Sequence, residues 1–242
     1  MWYLCGSELI HFCIKLFFLY RSKNPSIVMF CSISMCFLVS INPYNMINED
    51  ILFSFGADLR TYDPDDFIFY EGEVPSFFFL ISSGKVKLNN YNEGGKEFIQ
   101  GIFSSGNGVG ISSLFTEKSY PVNAVAVEES EIIRLPKAQY LQLLQENPDN
   151  YFTTIQSLSE HMHYKFLMAE SIAFQNPAQK LLTLMNYLKD HHHDQSKYAL
   201  QILLTRQQLA SLTGLSVETV IRVIKNMEKE GILKIKNRKI FY

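Results

Sequence analysis

"LTRQQLASLTGLSVETVIRVIKNMEKEGIL" occupies residues 204–233 and decides the fold of the C-terminal end of the chain. Thr205 precedes the short run "RQQLASLT" and carries the hydroxyl that caps a helix N-terminus, while Gly214 lets the chain leave that helix through a left-handed turn. Ser216 is placed to cap a second helix, with Thr219 three positions on. Val220, Val223, Ile224 and Met227 recur at helical spacing and predict its buried face, leaving Val217, Glu218, Ile221, Arg222 and Lys225 on or near the outer one. Two helices of this size around a glycine turn make a helix-turn-helix. "GILKIKNRKIFY" (231–242) then reads as two short strands around Lys236-Asn237-Arg238, a basic wing. The competing reading is a solvated charged helix of an unrelated bundle, on which Glu218 and Arg222 merely pair with each other for about 0.3 kcal/mol.

The charge distribution separates this end from the rest. Residues 46–147 hold 7 Lys and Arg against 15 Asp and Glu, a balance of −8. Residues 203–242 hold 8 against 3, a balance of +5, inside a chain whose formal net charge is −2. An acidic body with a basic end fits a protein that meets a polyanion at that end only. At 242 residues and 47% apolar composition, the chain has the length of one large or two modest domains and enough apolar residues for a core.

Upstream, residues 59–135 read as short strands divided by turn signals at Asp63-Pro64, Gly72, Ser83-Gly84, Glu93-Gly94-Gly95 and Gly106-Asn107-Gly108. Short strands at this spacing indicate a β-roll, a jelly roll or a sandwich. The period then changes. "PKAQYLQLLQENPD" is a short helix stopped near Asn147-Pro148, and from Tyr151 to about Gln175 the apolar positions Ile155, Leu158, Met162, Phe166, Ala169 and Ile172 form one long helical stripe. A stripe of this length is expected to face a second helix, which in a homodimer is its twin. Ile155, Leu158, Met162 and Ala169 are therefore the expected dimer contacts. Residues 178–190 form another amphipathic helix, followed by the polar loop "HHHDQSK".

Residues 1–45 differ from the rest: they contain no Ala, Asp, Thr or Gln and all four cysteines, Cys5, Cys13, Cys31 and Cys36. The uncharged stretch 26–41 falls short of the roughly 20 residues a spanning helix needs. The break at 45/46 favours translation starting at or near Met46. The other readings are a membrane anchor, with Lys15, Arg21 and Lys23 on the cytoplasmic side, and a buried or partner-binding extension. A body without cysteine has no disulfide framework and suits a reducing cytoplasm.

"LTRQQLASLTGLSVETVIRVIKNMEKEGILKI" resembles the DNA-binding motif of the Crp/Fnr family of bacterial transcription regulators, and "GGKEFIQGIFSSGNGVGISSLF" resembles that family's roll segment, with similarity running over about residues 50–242. The resemblance implies an α+β chain. Its parts are a double-stranded β-roll of the cyclic-nucleotide-binding kind (46–147), a dimerisation helix (148–176) and a winged helix-turn-helix (177–242). It implies double-stranded DNA and a second copy of the chain as partners, RNA polymerase as a third, and leaves an effector unidentified. By motif position, Glu218 and Arg222 are the base readers. Chemistry agrees: a carboxylate accepts from cytosine N4, and a guanidinium donates twice to guanine. Thr205, Arg206, Gln207, Ser216 and Thr219 lie at helix N-termini, where phosphates bind; Lys225 and Lys236 add positive charge. Val217 stands where cyclic-AMP-type members carry Arg and Fnr-type members carry Val, so a half-site nearer TTGA than GTGA is expected. Ile221 departs from the Fnr pattern, which has a small polar residue there.

The same resemblance argues against the family's cofactors. The glutamate expected for a ribose hydroxyl is replaced by Ile111, and there is no Arg between Arg60 and Arg134 to meet a cyclic phosphate. Cysteine spacing does not match an iron–sulfur cluster, and no His between His11 and His161 offers a haem ligand from the roll. His191, His192 and His193 read as a solvated loop, and His161 and His163 as dimer-helix residues. No nucleophile–base pair or phosphate loop emerges, so the chain is not expected to be an enzyme. Two other classes remain in view: a membrane-tethered sensor whose output is partner binding, and a nucleotide-binding module acting on another protein, which the basic winged end disfavours.

Overall fold

The computed structural model describes residues 47–116 and 118–242. The stretch 26–41, the four cysteines and Met46 lie outside them. Helix α1 (Glu49–Ser54) leads into eight strands: β1 (Asp58–Tyr62), β2 (Phe67–Phe69), β3 (Phe77–Ser83), β4 (Lys85–Tyr91), β5 (Glu97–Ser104), β6 (Gly108–Val109), β7 (Asn123–Ala126) and β8 (Ser130–Pro136), with the short helix α2 (Ile111–Leu114) between β6 and β7. They form two four-stranded antiparallel sheets, β1-β8-β3-β6 and β2-β7-β4-β5. The result is a jelly roll.

The unbroken apolar run "FFFLI" at 77–81 is explained by burial on both sides of its sheet. Phe79 and Ile81 join the interior cluster, whereas Phe78 and Leu80 join a second cluster outside the sheet with Leu52, Leu114, Ile133 and Leu135. A strand with one wet face would alternate; this one has none to offer. Helix α3 (Lys137–Glu146) closes the outer cluster through Tyr140, Leu143 and Leu144, with the Tyr140 ring stacked on Phe78 at 4.1 Å.

Pro148 starts helix α4 (Pro148–Phe174), taking the N1 place where its missing N–H costs nothing. Tyr140 and Thr154 share a hydroxyl hydrogen bond of 3.0 Å that joins α3 to α4. The face that α4 buries is Thr154, Ser157, Tyr164, Met168 and Ser171. The apolar stripe is largely uncovered: Ile155, Met162 and Phe166 are 57%, 55% and 66% exposed, and Ala169 is exposed too. Leu158 differs, being half-buried against the outer cluster. Among the described residues no helix is long and apolar enough to cross a membrane.

Helix α5 (Pro177–Asp190) begins with a capping box: the Asn176 side chain accepts from Ala178 N (3.0 Å) and Gln179 N (3.1 Å), and Gln179 reaches back to the Asn176 N–H. This cap sets the corner between the long helix and everything that follows. Asn176→Ala is expected to cost about 1 kcal/mol, read as a lower denaturant midpoint at unchanged slope. The last elements are β9 (Gln201–Ile202), α6 (Arg206–Thr213), α7 (Val217–Lys229), β10 (Lys234–Lys236) and β11 (Lys239–Phe241), the three strands pairing in the order β10-β11-β9. Strand β9 is absent from the sequence expectation, because two residues have no period; only its pairing with β11, Ile202 opposite Ile240 and Gln201 opposite Phe241, defines it.

Candidate nucleic-acid interface

The two helices α6 and α7 stand as their capping residues require. Thr205 Oγ1 accepts from Gln208 N at 3.1 Å, and Gln208 Oε1 accepts from Thr205 N at 2.8 Å. Gly214 ends α6 at φ +69°. Ser216 Oγ then accepts from Thr219 N at 3.3 Å to open α7. Val220, Val223, Ile224 and Met227 are the buried residues of α7. Five consecutive residues of α6, Leu209 to Thr213, are also buried, because α7 and strand β5 of the roll both pack against it. The first helix is thereby enclosed, and the second presents one face outward.

On that face Glu218, Arg222, Lys225 and Asn226 are exposed, Ile221 is at its edge, and Val217 is half-buried against the core. Four ion pairs occur among the described residues, all within the roll. Glu218 and Arg222 do not pair with each other, so the charges of this face are uncommitted. The Glu218 carboxyl is held below the usual carboxylate range, by its own backbone N–H at the helix start and then by the Ser216 hydroxyl. It is therefore ionised and acceptor-only, the form that suits an amine donor. Thr205, Gln207 and Ser216 are exposed, and Arg206 and Thr219 half-buried, around the two helix N-termini.

The wing extends the basic surface. Asn237 and Arg238 take φ +51° and +65°, making the tight turn of a two-residue hairpin. Lys234, Lys236, Arg238 and Lys239 are all exposed. Sequence reasoning placed Lys236 and Arg238 in the basic wing; the hairpin register, with Lys236 opposite Lys239, adds Lys234 and Lys239. Glu228 Oε1 accepts from Ile235 N at 2.9 Å and fastens the wing to the end of α7.

The roll residues weighed above for a nucleotide, and their neighbours, have partners within the protein. Ile111 is buried in the outer cluster. Tyr120 stacks on Phe69 with ring centroids 3.8 Å apart and donates to the Phe77 carbonyl at 3.4 Å. Gly110 (φ +72°) is needed beneath them, since a Cβ there would lie 2.8 Å from the Tyr120 ring. Arg134 is taken by Asp58, at 2.8 and 3.1 Å, and lies over the Phe77 ring; Arg60 also bonds Asp58. The His191 ring lies tilted against Tyr187, centroids 4.6 Å apart, and bonds its carbonyl, and His192 bonds the Asp194 backbone. No group of three or more His, Cys, Asp or Glu suited to a metal occurs among the described residues.

An eight-stranded roll, a long helix with an open apolar face and a capped helix-turn-helix with a basic wing define a two-domain DNA-binding regulator. Residues 59–147 match the cyclic nucleotide-binding domain family, and residues 178–241 match the Crp-like helix-turn-helix domain family. The chain belongs to the Crp/Fnr family of transcription regulators. It is 28% identical over 185 residues to the cyclic AMP receptor protein of Thermus thermophilus, covering 73% of this chain and 79% of that one. It is 25% identical over 215 residues to the transcriptional activator FnrA of Stutzerimonas stutzeri, covering 87% and 86%. Its fold is similar to that of the c-di-GMP-responsive regulator CLP of Xanthomonas campestris, at TM-score 0.66 and 23% identity over 78% of this chain and 95% of that one. A CooA variant from Carboxydothermus hydrogenoformans is similar at TM-score 0.68 and 17% identity, over 81% and 87%.

Proposed function

We propose that the protein is a cytoplasmic homodimer that binds an inverted repeat in double-stranded DNA, with Glu218 and Arg222 reading bases in the major groove. The observation that carries this reading is the outward face of α7, where an ionised acceptor and a guanidinium one turn apart make no ion pair among the described residues. Thr205, Arg206, Gln207, Ser216 and Thr219 are the positioning contacts to phosphate, and Lys225 and the wing lysines supply the salt-dependent attraction. RNA polymerase is the partner through which such binding acts on transcription. The chain itself is not an enzyme in this reading. The uncovered stripe of α4 supports the dimer, because Ile155, Met162 and Phe166 expose apolar surface that a second copy of the helix would cover.

The roll is read as a sensor that does not bind cyclic AMP. Ile111 in the outer cluster, Tyr120 stacked into the interior and both arginines engaged by Asp58 support this reading. Haem and iron–sulfur clusters have no place in it either.

Selection of bound sequences from random duplexes tests the whole proposal. The expected product is a two-fold-symmetric consensus with half-site centres roughly 10 base pairs apart, each half nearer TTGA than GTGA. An asymmetric product, or none, refutes it. Salt titration adds a second measurement. Lys236→Ala is expected to weaken binding to all duplexes alike and to lower the slope of log affinity against log salt by about one unit for each phosphate it no longer neutralises, hence about two in a dimer. A weakening confined to the consensus duplex would make Lys236 a base reader instead.

A further inference from the structure

Helix α7 carries an apolar side chain that the fold does not use. Val220, Val223, Ile224 and Met227 are buried in the interior cluster, and Val217 packs against it. Ile221 belongs to neither core cluster of the described residues and is 40% exposed. Helix formation does not ask for it either, because a β-branched residue loses rotamer freedom in a helix and is a weaker helix former than Glu, Lys or Arg. A lone isoleucine on a protein surface needs no explanation by itself. Its neighbours set this one apart.

On a helix, a residue adjoins the positions three before and four after it, so Ile221 stands beside Glu218 and Lys225, with Arg222 next in the chain. All three are exposed, and none makes an ion pair among the described residues. One turn earlier is Val217, half-buried against the core, so the two β-branched residues form an apolar ledge that runs from the core out to the charged face. The segment around it, residues 203–242, carries a balance of +5, which selects a polyanion over an apolar protein as what covers this face. With α7 in the major groove, the isoleucine can neither donate nor accept a hydrogen bond, and a phosphate offers it nothing. The groove presents donors and acceptors at every base pair, and one kind of apolar group, the C5-methyl of thymine.

We propose that Ile221 is a specificity-determining residue that packs on the C5-methyl of a thymine in each half-site, near the G·C pair read by Arg222. Recognition of that thymine comes from apolar contact, where a polar side chain at the same position would bring a hydrogen bond. The chain therefore tells thymine from deoxyuridine there, two bases that present the same hydrogen-bonding edge and differ only in the methyl group. The proposal rests on the major-groove reading of α7 above, and the test separates the failure of one from the failure of the other.

The experiment is a binding titration of the full-length protein on the duplex that selection returns, expected to hold TTGA and its inverted copy TCAA with centres roughly 10 base pairs apart. Each thymine of a half-site is replaced in turn by deoxyuridine, in both halves at once. At one position the loss should be about fourfold per half-site, the worth of burying one methyl group, and hence about 15-fold for the dimer. Ile221→Ala should bind the thymine and deoxyuridine duplexes alike, whereas Ile221→Val should keep most of the discrimination. Because the residue joins no cluster, Ile221→Ala is expected to melt as wild type does. Equal binding of the two duplexes by wild type at every position overturns the proposal and leaves the major-groove reading standing. So does a deoxyuridine penalty that persists unchanged in Ile221→Ala, which would belong to the stiffness of the duplex. An Ile221→Ala protein that melts well below wild type would make the residue a packing element and overturn the proposal too. If wild type binds the duplex no more tightly than a scrambled one, the major-groove reading itself falls, and the proposal with it.

Discussion

Arg222→Ala is expected to erase the preference for guanine at one position of each half-site and to weaken the specific complex by about 1–3 kcal/mol per half-site. The dimer reads two half-sites, so the expected total is about 2–6 kcal/mol, or roughly 30-fold to 10⁴-fold in Kd. The reason lies in what Arg222 does in the free protein: it is exposed and makes no ion pair among the described residues. Truncation therefore removes no internal ion pair, and the folded state should melt unchanged. Glu218→Ala should instead relax the neighbouring position, because an ionised carboxylate discriminates by accepting from cytosine and repelling acceptors. Parallel selections from random duplexes with wild type and each variant decide the matter. If Arg222→Ala returns the wild-type consensus, Arg222 is a solvated surface residue and the base-reading assignment is wrong.

The second large effect concerns the long helix. The double variant Ile155→Glu, Met162→Glu is expected to sediment as a monomer and to lose about 10²–10⁴-fold in affinity for the inverted repeat, the factor that linkage of two half-sites supplies. Both side chains are more than half exposed and neither belongs to a core cluster of the chain. Charging them should therefore leave the helix content and the roll intact, which separates loss of assembly from loss of fold. Leu158 is a poorer place for the test, since it packs against the outer cluster and a charge there would damage the roll itself. A double variant that still sediments as a dimer would show that α4 is not the assembly surface.

The helix-turn-helix was legible because the signals that build it are local. Thr205, Gly214 and Ser216 cap or end helices through atoms within three or four residues, and Val220, Val223, Ile224 and Met227 repeat at the helical period. Such information lies within one or two turns of chain, and a reader of the sequence holds all of it. The wing was legible for the same reason, as two short strands around Lys236-Asn237-Arg238, although the folded turn is Asn237-Arg238 and Lys236 ends strand β10.

The long helix shows where local information stops. Its period announces a face that needs covering and does not say by what. The residues that pack on the rest of the chain are mostly small or polar, Thr154, Ser157 and Ser171 among them, while Ile155, Met162 and Phe166 are left open. Hydrophobicity ranks the cost of exposure; it does not choose between a roll and a second copy. The pairing of β9 with β11, the Tyr120 ring stacked on Phe69 and the engagement of Lys165 by Gln100, 65 residues earlier in the chain, are likewise invisible to any period. Each joins residues whose distance along the chain carries no signal, and each exists only once the chain has folded. Sequence alone determined the roll, the long helix and the helix-turn-helix with its wing, their order, and which side chains of α7 lie outward. Only tertiary packing decided which charges are paired, which are buried and which are left to meet another molecule, because burial and pairing are properties of neighbours that the chain brings together only when folded.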